Sequence, residues 1–266
     1  MKYPLIIVFL FSCLLGIGQT QPEYPDSGFT NKAEAKNKVI VTAKGDTLKE
    51  GKWIEYTDDE GIHVDSSAYP SYYMLCKYKQ GKLFGLVRVY YISGKLQYII
   101  PYKDGLLNGI QKGFYETGEL ESITSFKDNA PNGMDKSFYR NGKVEAEIFT
   151  NKDGRNGVLK EYYESGKLRS ETPYTNDRAN GVAKEYYESG KLKSECTYTL
   201  DRESSAKIEY YESGKIEKVT NYTDSGNAIT TCNEYYENGR VKSETIYNTH
   251  GESVTKKYDE NGYLIN

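Results

Sequence analysis

The chain has 266 residues, of which 27% are charged, and the two signs are interleaved so that the formal net charge is only −3. The lack of a basic stripe argues against nucleic acid as a partner, because such proteins concentrate Lys and Arg on one surface. Tyrosine supplies 27 residues against 8 Phe and one Trp, a composition that favours β-strands.

Residues 1–19 have the pattern of a cleaved secretory signal peptide. Lys2 supplies a positive charge, residues 5–17 form an apolar run, and Gly16 and Gly18 provide small residues before a polar stretch. The apolar run of about 13 residues is shorter than the roughly 20 that a membrane span needs. We therefore expect export to the periplasm or the extracellular space, and a mature chain without a transmembrane span.

Cys13 offers a second route of export. Residues 10–12 (Leu-Phe-Ser) loosely resemble the lipobox that precedes a lipidated cysteine. Apolar residues continue after Cys13, which places it inside the hydrophobic run and favours the signal peptide over a lipoprotein anchor.

A polar lead-in is predicted over residues 20–44, and it contains the first strand at residues 38–42 (KVIVT). A repeat array is predicted over residues 45–266. The first unit of the array diverges from the others, because Trp53 takes its apolar position within residues 51–61 (GKWIEYTDDEG).

The array has a period of 24 residues, marked by an aromatic pair, a small polar residue and a glycine. The pattern occurs as YYISGKL (90–96), FYETGEL (114–120), FYRNGKV (138–144), YYESGKL (162–168 and 186–192), YYESGKI (210–216) and YYENGRV (235–241). A fixed period of this size is typical of repeat proteins, in which neighbouring units supply each other's packing. Such proteins usually present surfaces rather than catalytic pockets, so the period favours a binding role.

Each repeat is predicted to be a β-hairpin with a three-residue loop. Thr117 precedes the turn glycine Gly118, and a β-branched residue is strained at the positive φ that a two-residue type I′ loop requires. A type I turn followed by glycine in the left-handed region avoids that strain.

This loop predicts a cross-strand register for every hairpin. The expected pairs are Tyr162 with Leu168, Val158 with Thr172, and Glu161 with Arg169. The first two pairs share one face, and the charged pair lies on the other.

The connections between hairpins carry a second predicted turn signal. It consists of Asn108-Gly109, Asn132-Gly133, Asn156-Gly157 and Asn180-Gly181. Short turns make successive strands neighbours, so we expect an antiparallel meander of about 16 strands. The predicted fold class is all-β: an elongated, single-layer antiparallel β-meander built from tandem β-hairpin repeats.

The aromatic pairs predict two rows on opposite faces of the sheet. The first row is Tyr90, Phe114, Phe138, Tyr162, Tyr186, Tyr210 and Tyr235. The second row is Tyr91, Tyr115, Tyr139, Tyr163, Tyr187, Tyr211 and Tyr236. Charged neighbours flank the second row, so its face is predicted to stay open, whereas the first-row face with Leu168 and Val158 is predicted to provide cohesion.

Candidate catalytic and metal-binding residues do not stand out. His63 and His250 lie apart and have no metal-ligand spacing to a cysteine or to each other. Carboxylates recur at equivalent positions such as Glu161 and Glu185, whereas a catalytic pair would occur once. We expect no enzymatic activity and no cofactor.

The predicted mature chain keeps three cysteines, Cys76, Cys196 and Cys232, which do not form a disulfide framework. Two strands separate Cys196 from Cys232. At about 4.8 Å per strand these two residues would lie about 14 Å apart, too far for a bridge.

The repeats resemble MORN repeats (membrane occupation and recognition nexus), and specifically the bacterial variant found in YwqK-type, antitoxin-like proteins. The matching core, NG-x-x-K-x-YY-x-S/N-G-K-L-x-S-E, is present in residues 180–195, and the resemblance covers residues 45–266. It implies a hairpin-repeat sheet with an interaction role and supplies no catalytic residue. Residues 258–266 (YDENGYLIN) also resemble one tyrosine–aspartate repeat of large secreted toxin shells, and we interpret them as a divergent terminal repeat.

Two functions remain open from the sequence. The first is a non-enzymatic exported scaffold for protein–protein interaction, of the antitoxin or immunity kind, whose partner is an exported toxin or an envelope protein. The second is a glycan- or cell-wall-binding module in which exposed tyrosines stack on sugars. The predicted binding residues for both are the second row, since Tyr is enriched at interfaces. A purely structural role, with tyrosines stacking across strands, also fits both rows.

Overall fold

The computed structural model describes residues 32–42, 44–59, 63–64, 66, 70–203, 206–223 and 228–265. The predicted signal peptide, Cys13 and residues 20–31 of the lead-in therefore lie outside the described residues. The first described element is a 3-10 helix, Lys32–Glu34, and the first strand follows at Lys38–Val41, close to its predicted position.

The chain forms two compact units, divided between Pro131 and Asn132. The first unit contains β1 (Lys38–Val41), β2 (Thr47–Thr57), β3 (His63–Val64), β4 (Tyr72–Lys79), β5 (Lys82–Leu83), β6 (Gly85–Tyr91), β7 (Leu96–Lys103), β8 (Leu106–Leu107), β9 (Gly109–Phe114), β10 (Leu120–Lys127) and β11 (Ala130–Pro131). The second unit contains β12 (Gly133–Phe138), β13 (Val144–Asn151), β14 (Gly154–Arg155), β15 (Gly157–Tyr162), β16 (Leu168–Thr175), β17 (Arg178–Ala179), β18 (Gly181–Tyr186), β19 (Leu192–Thr199), β20 (Arg202–Glu203), β21 (Lys207–Tyr210), β22 (Ile216–Tyr222), β23 (Ile229–Tyr235), β24 (Val241–Tyr247) and β25 (Ser253–Lys257).

Within each unit, every long strand pairs antiparallel with the next long strand along the chain. In the first unit β4 pairs with β6, and β7 pairs with both β6 and β9. In the second unit β16 likewise pairs with β15 and β18. The predicted all-β antiparallel meander of hairpin repeats is therefore confirmed. The expected number of about 16 strands is too low, because the described residues form 25 strands, seven of which are two-residue strands that the sequence pattern did not reveal.

The predicted three-residue hairpin loop is also confirmed. In one repeat the Gly166 amide donates to the Tyr163 carbonyl at 2.7 Å, and the Tyr163 amide donates to the Lys167 carbonyl at 2.9 Å. Gly166 has a φ of +86°, whereas the preceding Ser165 does not have a positive φ. Only the glycine enters the left-handed region, which leaves the position before it open to Ser, Thr or Asn.

The predicted register holds only next to the loop. Tyr162 pairs with Leu168 as expected, but a β-bulge then shifts the pairing by one residue. Glu161 consequently pairs with Ser170 instead of Arg169, and Val158 pairs with Pro173 instead of Thr172. A bulge places two residues opposite one and increases the local twist, which alternation of side chains along a strand cannot reveal.

The Asn-Gly pairs do not form the connecting turns. The turn between β16 and β17 is made by Asn176 and Asp177, which both have positive φ (50° and 66°), as a type I′ turn requires. Asn180 and Gly181 lie beyond it, where the chain leaves β17 and enters β18. Gly181 has a φ of +130°, and a Cβ added there would lie 3.0 Å from Cγ of Pro173.

The two faces of the sheet are defined here by the aromatic rows. Face 1 carries Tyr162, Lys160 and Val158, and face 2 carries their alternating neighbours, such as Glu161. In the second unit the buried side chains lie on face 2: Ile148, Thr150, Ser170, Ala179, Ser194, Cys196, Thr220 and Ser243. The expectation that face 2 stays open is therefore wrong at these positions, whose burial the polarity of the sequence did not indicate.

The first unit has apolar packing on both faces. On face 2 a cluster forms around Met74, Cys76, Tyr78, Val87, Val89, Ile100 and Tyr102, with Trp53 beside it. On face 1 Tyr73 and Leu75 are buried against Ala35 and Tyr90, and the Lys32 ammonium lies 3.5 Å from the centre of the Tyr73 ring. Residues 32–35 therefore cover part of face 1 in this unit.

Candidate interaction surfaces

The seven predicted binding tyrosines occupy one equivalent position in each hairpin, immediately before the loop. All seven, Tyr91, Tyr115, Tyr139, Tyr163, Tyr187, Tyr211 and Tyr236, are half-buried. They lie on face 2, one to a hairpin, with two in the first unit and five in the second. Within the second unit the structure therefore arranges them as a series, one to each hairpin, rather than gathering them into a pocket.

In the second unit the hydroxyls of this row connect each repeat to the next. Each hydroxyl donates to a main-chain carbonyl of the following repeat: Tyr139 to Tyr162 (2.6 Å), Tyr163 to Tyr186 (2.7 Å), Tyr187 to Tyr210 (2.6 Å), Tyr211 to Tyr235 (2.6 Å) and Tyr236 to Tyr258 (2.9 Å). These carbonyls sit at the ends of strands, so the bonds satisfy groups next to a turn.

Charged side chains surround the same row. Arg169 donates to Glu161 at 3.0 Å, and the Ser170 hydroxyl donates to the other oxygen of Glu161 at 2.6 Å. Burial raises the pKa of the nearby Tyr139, and the negative charge of Glu145 raises it further. The rings are therefore held in a polar setting of mixed sign.

The two members in the first unit are Tyr91 and Tyr115. Tyr91 packs against Tyr72 with ring centres 5.7 Å apart, and burial is the main reason that its pKa is raised. At Tyr115 the main chain repeats the hairpin geometry, because its amide donates to the Glu119 carbonyl at 2.9 Å.

The tyrosine hydroxyls of the first aromatic row donate to glutamates on face 1 that lie earlier in the chain, in the preceding repeat. Tyr162 donates to Glu147 (2.8 Å), Tyr186 to Glu171 (3.1 Å) and Tyr210 to Glu195 (2.8 Å). Tyr258, which lies outside the row near the end of the chain, donates to Glu244 in the same way (2.8 Å). Hydrogen bonds from Lys136 and then Tyr162 hold the pKa of the Glu147 carboxyl below its usual value. Burial and the bond to Glu147 raise the pKa of Tyr162 to about 12.

These glutamates belong to a ladder of alternating charge that sequence reasoning missed. Across β12, β13, β15, β16, β18 and β19, successive register partners on face 1 are Lys136, Glu147, Lys160, Glu171, Lys184 and Glu195. Two of the pairs form ion pairs, with N–O distances of 2.7 Å for Lys136–Glu147 and 4.0 Å for Lys160–Glu171. The sequence contains a signal for this ladder, because its lysines recur every 24 residues and its glutamates do the same.

A row of apolar side chains lies beside this charge ladder on the same face and strands. It consists of Met134, Phe149, Val158, Pro173 and Val182, and the polar Thr197 is the register partner of Val182 at its end. Met134, Phe149, Val158 and Val182 expose 42%, 42%, 43% and 45% of their surface. Face 1, predicted to provide cohesion, therefore carries the exposed apolar side chains of these strands.

A buried polar network lies on face 2 of the first unit. Glu55 is buried, forms an ion pair with Lys49, and accepts a hydrogen bond of 2.9 Å from the Tyr78 hydroxyl. The Lys49 ammonium also lies 5.0 Å from the ring centres of both Trp53 and Tyr78. Burial raises the pKa of the adjacent Cys76 thiol. The divergent repeat that contains Trp53 therefore forms part of the core.

In the part of the chain that the structure describes, no group of three or more His, Cys, Asp or Glu side chains is arranged to hold a metal ion. The same residues contain no helix with the length and hydrophobicity that a bilayer crossing requires.

Solved structures with some likeness to the chain score low. One is the GtfA/B complex bound to UDP and GlcNAc, at 15% identity over 39% of this chain and 23% of that chain, with a TM-score of 0.26. Another is a TcdB2–TccC3–Cdc42 complex, at 13% identity over 84% of this chain and 13% of that chain, with a TM-score of 0.18. Each match spans less than a quarter of the other chain, and TM-scores this low do not indicate a shared fold. No curated protein matches the sequence.

The match to a protein family is much more extensive. The MORN repeat variant matches seven times, over residues 85–104, 107–128, 132–152, 155–176, 179–199, 207–224 and 231–249, which together make up more than half of the chain. The matched segments coincide with the hairpin repeats of the sheet. The chain therefore belongs to the family of MORN repeat variants, whose repeats are generally scaffolds for protein or membrane interaction.

Proposed function

We propose that the protein is an exported, non-enzymatic repeat scaffold that binds a protein partner across several repeats. The partner class is an exported toxin or an envelope protein, and the role is of the antitoxin or immunity kind. The resemblance to YwqK-type proteins and the signal-peptide pattern of residues 1–19 support these finer assignments. The second aromatic row is the proposed binding surface.

The observation that carries the proposal is the fixed orientation of the second-row rings. In the second unit the hydroxyls of Tyr139, Tyr163 and Tyr187 are each bonded to a carbonyl of the next repeat, at 2.6 to 2.7 Å. Side chains held in place before binding lose little entropy on contact, so a half-buried, anchored tyrosine is a favourable interface residue. Equivalent rings recur at about 9.6 Å, two strand spacings, which suits contact spread over several repeats.

The repetition of the polar contacts supports a non-enzymatic role. Ser170 donates to Glu161, Ser194 to Glu185, and Ser243 to Glu234, at 2.6, 3.1 and 3.3 Å. The same contact in several repeats fits a role in holding the bulged strand. A catalytic group usually occupies one site whose surroundings adjust its pKa to the reaction, whereas these glutamates have the same surroundings in several repeats.

Affinity capture with the mature protein tests the proposed surface. The variant Tyr139→Ser/Tyr163→Ser/Tyr187→Ser removes three adjacent rings and should abolish capture of the partner from envelope and secreted fractions. The matched variant with Phe in place of Ser keeps the rings but removes the hydroxyls that anchor them, and it should weaken capture without abolishing it. The control on face 1 is Phe138→Ser/Tyr162→Ser/Tyr186→Ser, which should mainly lower the Tm.

Normal capture by a folded Tyr139→Ser/Tyr163→Ser/Tyr187→Ser variant would show that the working surface is elsewhere. A panel of cell-wall polysaccharides run beside the capture addresses the glycan alternative. Retention on a polysaccharide, with no protein captured, would replace the proposed function by a glycan-binding one.

Export is tested separately from binding. The protein is recovered from cell fractions and its N-terminus is sequenced. A mature chain that begins near residue 20 supports a cleaved signal peptide, and a lipid-modified N-terminus at Cys13 supports the lipoprotein route. A protein that keeps Met1 in the cytoplasm would contradict export.

A further inference from the structure

We propose that face 1 of strands β12, β13, β15, β16, β18 and β19 is a docking surface for the same face of a second copy of this chain. The inference concerns the face opposite to the proposed partner-binding row and stands independently of it. It rests on the pattern of three parallel rows on these six strands.

The three rows run across the strands, perpendicular to the chain direction. The apolar row is Met134, Phe149, Val158, Pro173 and Val182, and it ends at the polar Thr197 on β19. The charge ladder is Lys136, Glu147, Lys160, Glu171, Lys184 and Glu195. The third row, of aromatic and aliphatic side chains, is Phe138, Val144, Tyr162, Leu168, Tyr186 and Leu192.

The charge ladder is complementary to itself under one symmetry operation. Consider a two-fold axis that lies in the interface, parallel to the strands, midway between β15 and β16. It brings Lys160 opposite the second copy's equivalent of Glu171, and Lys136 opposite its equivalent of Glu195. Every lysine of one copy then faces a glutamate of the other, because the ladder alternates strictly over an even number of strands.

The same axis also matches the apolar rows. Rotation about an axis parallel to the strands keeps each row at its own height along the strand. Val158 and its row therefore face the equivalent row of the second copy, and Tyr162 and its row do the same. Both copies present the same surface, as an isologous two-fold contact requires, and the strands of the two sheets run aligned.

Other symmetric arrangements are disfavoured by charge. An axis parallel to the ladder would place lysine opposite lysine and glutamate opposite glutamate. An axis that passes through a strand, rather than between two strands, would do the same. Like charges opposed across an interface are strongly unfavourable, so the ladder selects the arrangement and the apolar row supplies the attraction.

The area of the docking surface sets the expected affinity of the dimer. Six strands at about 4.8 Å and six residues at about 3.4 Å cover about 580 Å² on each copy, or at most about 1,200 Å² in total. This is the low end for specific interfaces. We therefore expect a weak, concentration-dependent dimer with a dissociation constant in the micromolar range.

The experiment measures the oligomeric state of the mature protein by sedimentation over a range of concentrations. One variant, Lys136→Glu/Lys160→Glu/Lys184→Glu, makes the ladder wholly acidic. A second, Glu147→Lys/Glu171→Lys/Glu195→Lys, makes it wholly basic. Each alone should lose dimerisation by on the order of a hundredfold, and an equimolar mixture should regain a complex of one acidic and one basic chain.

Two further variants keep the test decisive. Val158→Ser/Val182→Ser leaves the ladder intact and should weaken the dimer by about tenfold or more through lost apolar contact. Glu164→Lys/Glu188→Lys/Glu212→Lys reverses three charges at exposed hairpin loops and should leave the dimer unchanged. A protein that stays monomeric up to millimolar concentration, a dimer unaffected by the ladder and valine variants, or a mixture that fails to associate would overturn the proposal.

Discussion

The Tyr163 hydroxyl donates a hydrogen bond of 2.7 Å to the main-chain carbonyl of Tyr186. Tyr186 occupies, in the next repeat, the position that Tyr162 occupies beside Tyr163. Tyr162 donates in the other direction, to Glu147 at 2.8 Å. One aromatic pair therefore connects its hairpin to the following repeat through the backbone and to the preceding repeat through a carboxylate. Nearest-neighbour contacts of this kind are what hold a repeat protein together.

The inter-repeat hydroxyl bonds should contribute measurably to stability. Tyr163→Phe and Tyr187→Phe keep the ring but leave a strand-end carbonyl without its donor, so each should lower the free energy of unfolding by about 1 kcal/mol. Urea titration measures the change. The control is Tyr263→Phe, since Tyr263 exposes 71% of its surface and its hydroxyl should contribute nothing. Equal effects at all three positions would contradict the role of these bonds.

Stability should fall in alkali as the tyrosines ionise. Burial is the main cause that raises the pKa of Tyr102, Tyr162 and Tyr198 to about 12 in each case. Because the folded pKa lies above the unfolded value of about 10, this stabilisation is complete below about pH 10 and is lost as the pH rises through about 12. Tm measured against pH should show this loss, and Tyr162→Phe should reduce its steepness. A flat profile over this range would be inconsistent with the raised values.

Acid should weaken the contact of Glu147 with its two donors. Hydrogen bonds from Lys136 and Tyr162 lower the Glu147 pKa, so its contribution is present above the unfolded value and is lost as the pH falls through the folded value. Glu147→Gln should lower the Tm at neutral pH and make it less sensitive to acid. A double-mutant cycle of Glu147→Gln with Tyr162→Phe should give a coupling of about 0.5 to 1.5 kcal/mol. Full additivity would mean that the bond contributes nothing.

Gly181 should tolerate alanine less well than Gly190. At Gly181 the φ is +130° and a Cβ would lie 3.0 Å from Cγ of Pro173, whereas at Gly190 the φ is +90° and a Cβ would meet nothing within 4 Å. Both substitutions strain the backbone by about 1 kcal/mol or more, and only Gly181→Ala adds a tight contact, with the Pro173 ring. Thermal unfolding of the two variants measures the difference. Equal losses would show that the proline contact does not matter.

The three cysteines should stay unlinked and differ in reactivity. Cys76 and Cys196 are free and buried in the structure, and Cys232 is free and half-buried. Burial raises the pKa of Cys196 to about 11, which keeps it protonated near neutral pH. Alkylation of the native protein, followed by mass mapping, should label Cys232 first. Preferential labelling of Cys76 or Cys196 would contradict the described packing.

The repeat pattern alone determined the local structure of the hairpins. The 24-residue period and the turn glycines predict strands, antiparallel pairing and a three-residue loop, because these depend on alternation and on which residue can adopt positive φ. The alternation also places Tyr162 and Tyr163 on opposite faces. A one-residue bulge, by contrast, follows from the twist of two paired strands, so the pairing of Glu161 with Ser170 could not be obtained from one strand's sequence.

The tertiary structure decided which groups meet between repeats and which face is exposed. The partners of Tyr162 and Tyr163 lie in different repeats, 15 and 23 residues away, at distances set by strand spacing and bulge geometry. Burial likewise depends on the neighbours that each side chain meets across the strands, and Ser170 is buried whereas Val158 is exposed. Polarity predicted the reverse, because it describes each residue alone, whereas exposure is a property of the surface that many strands form together.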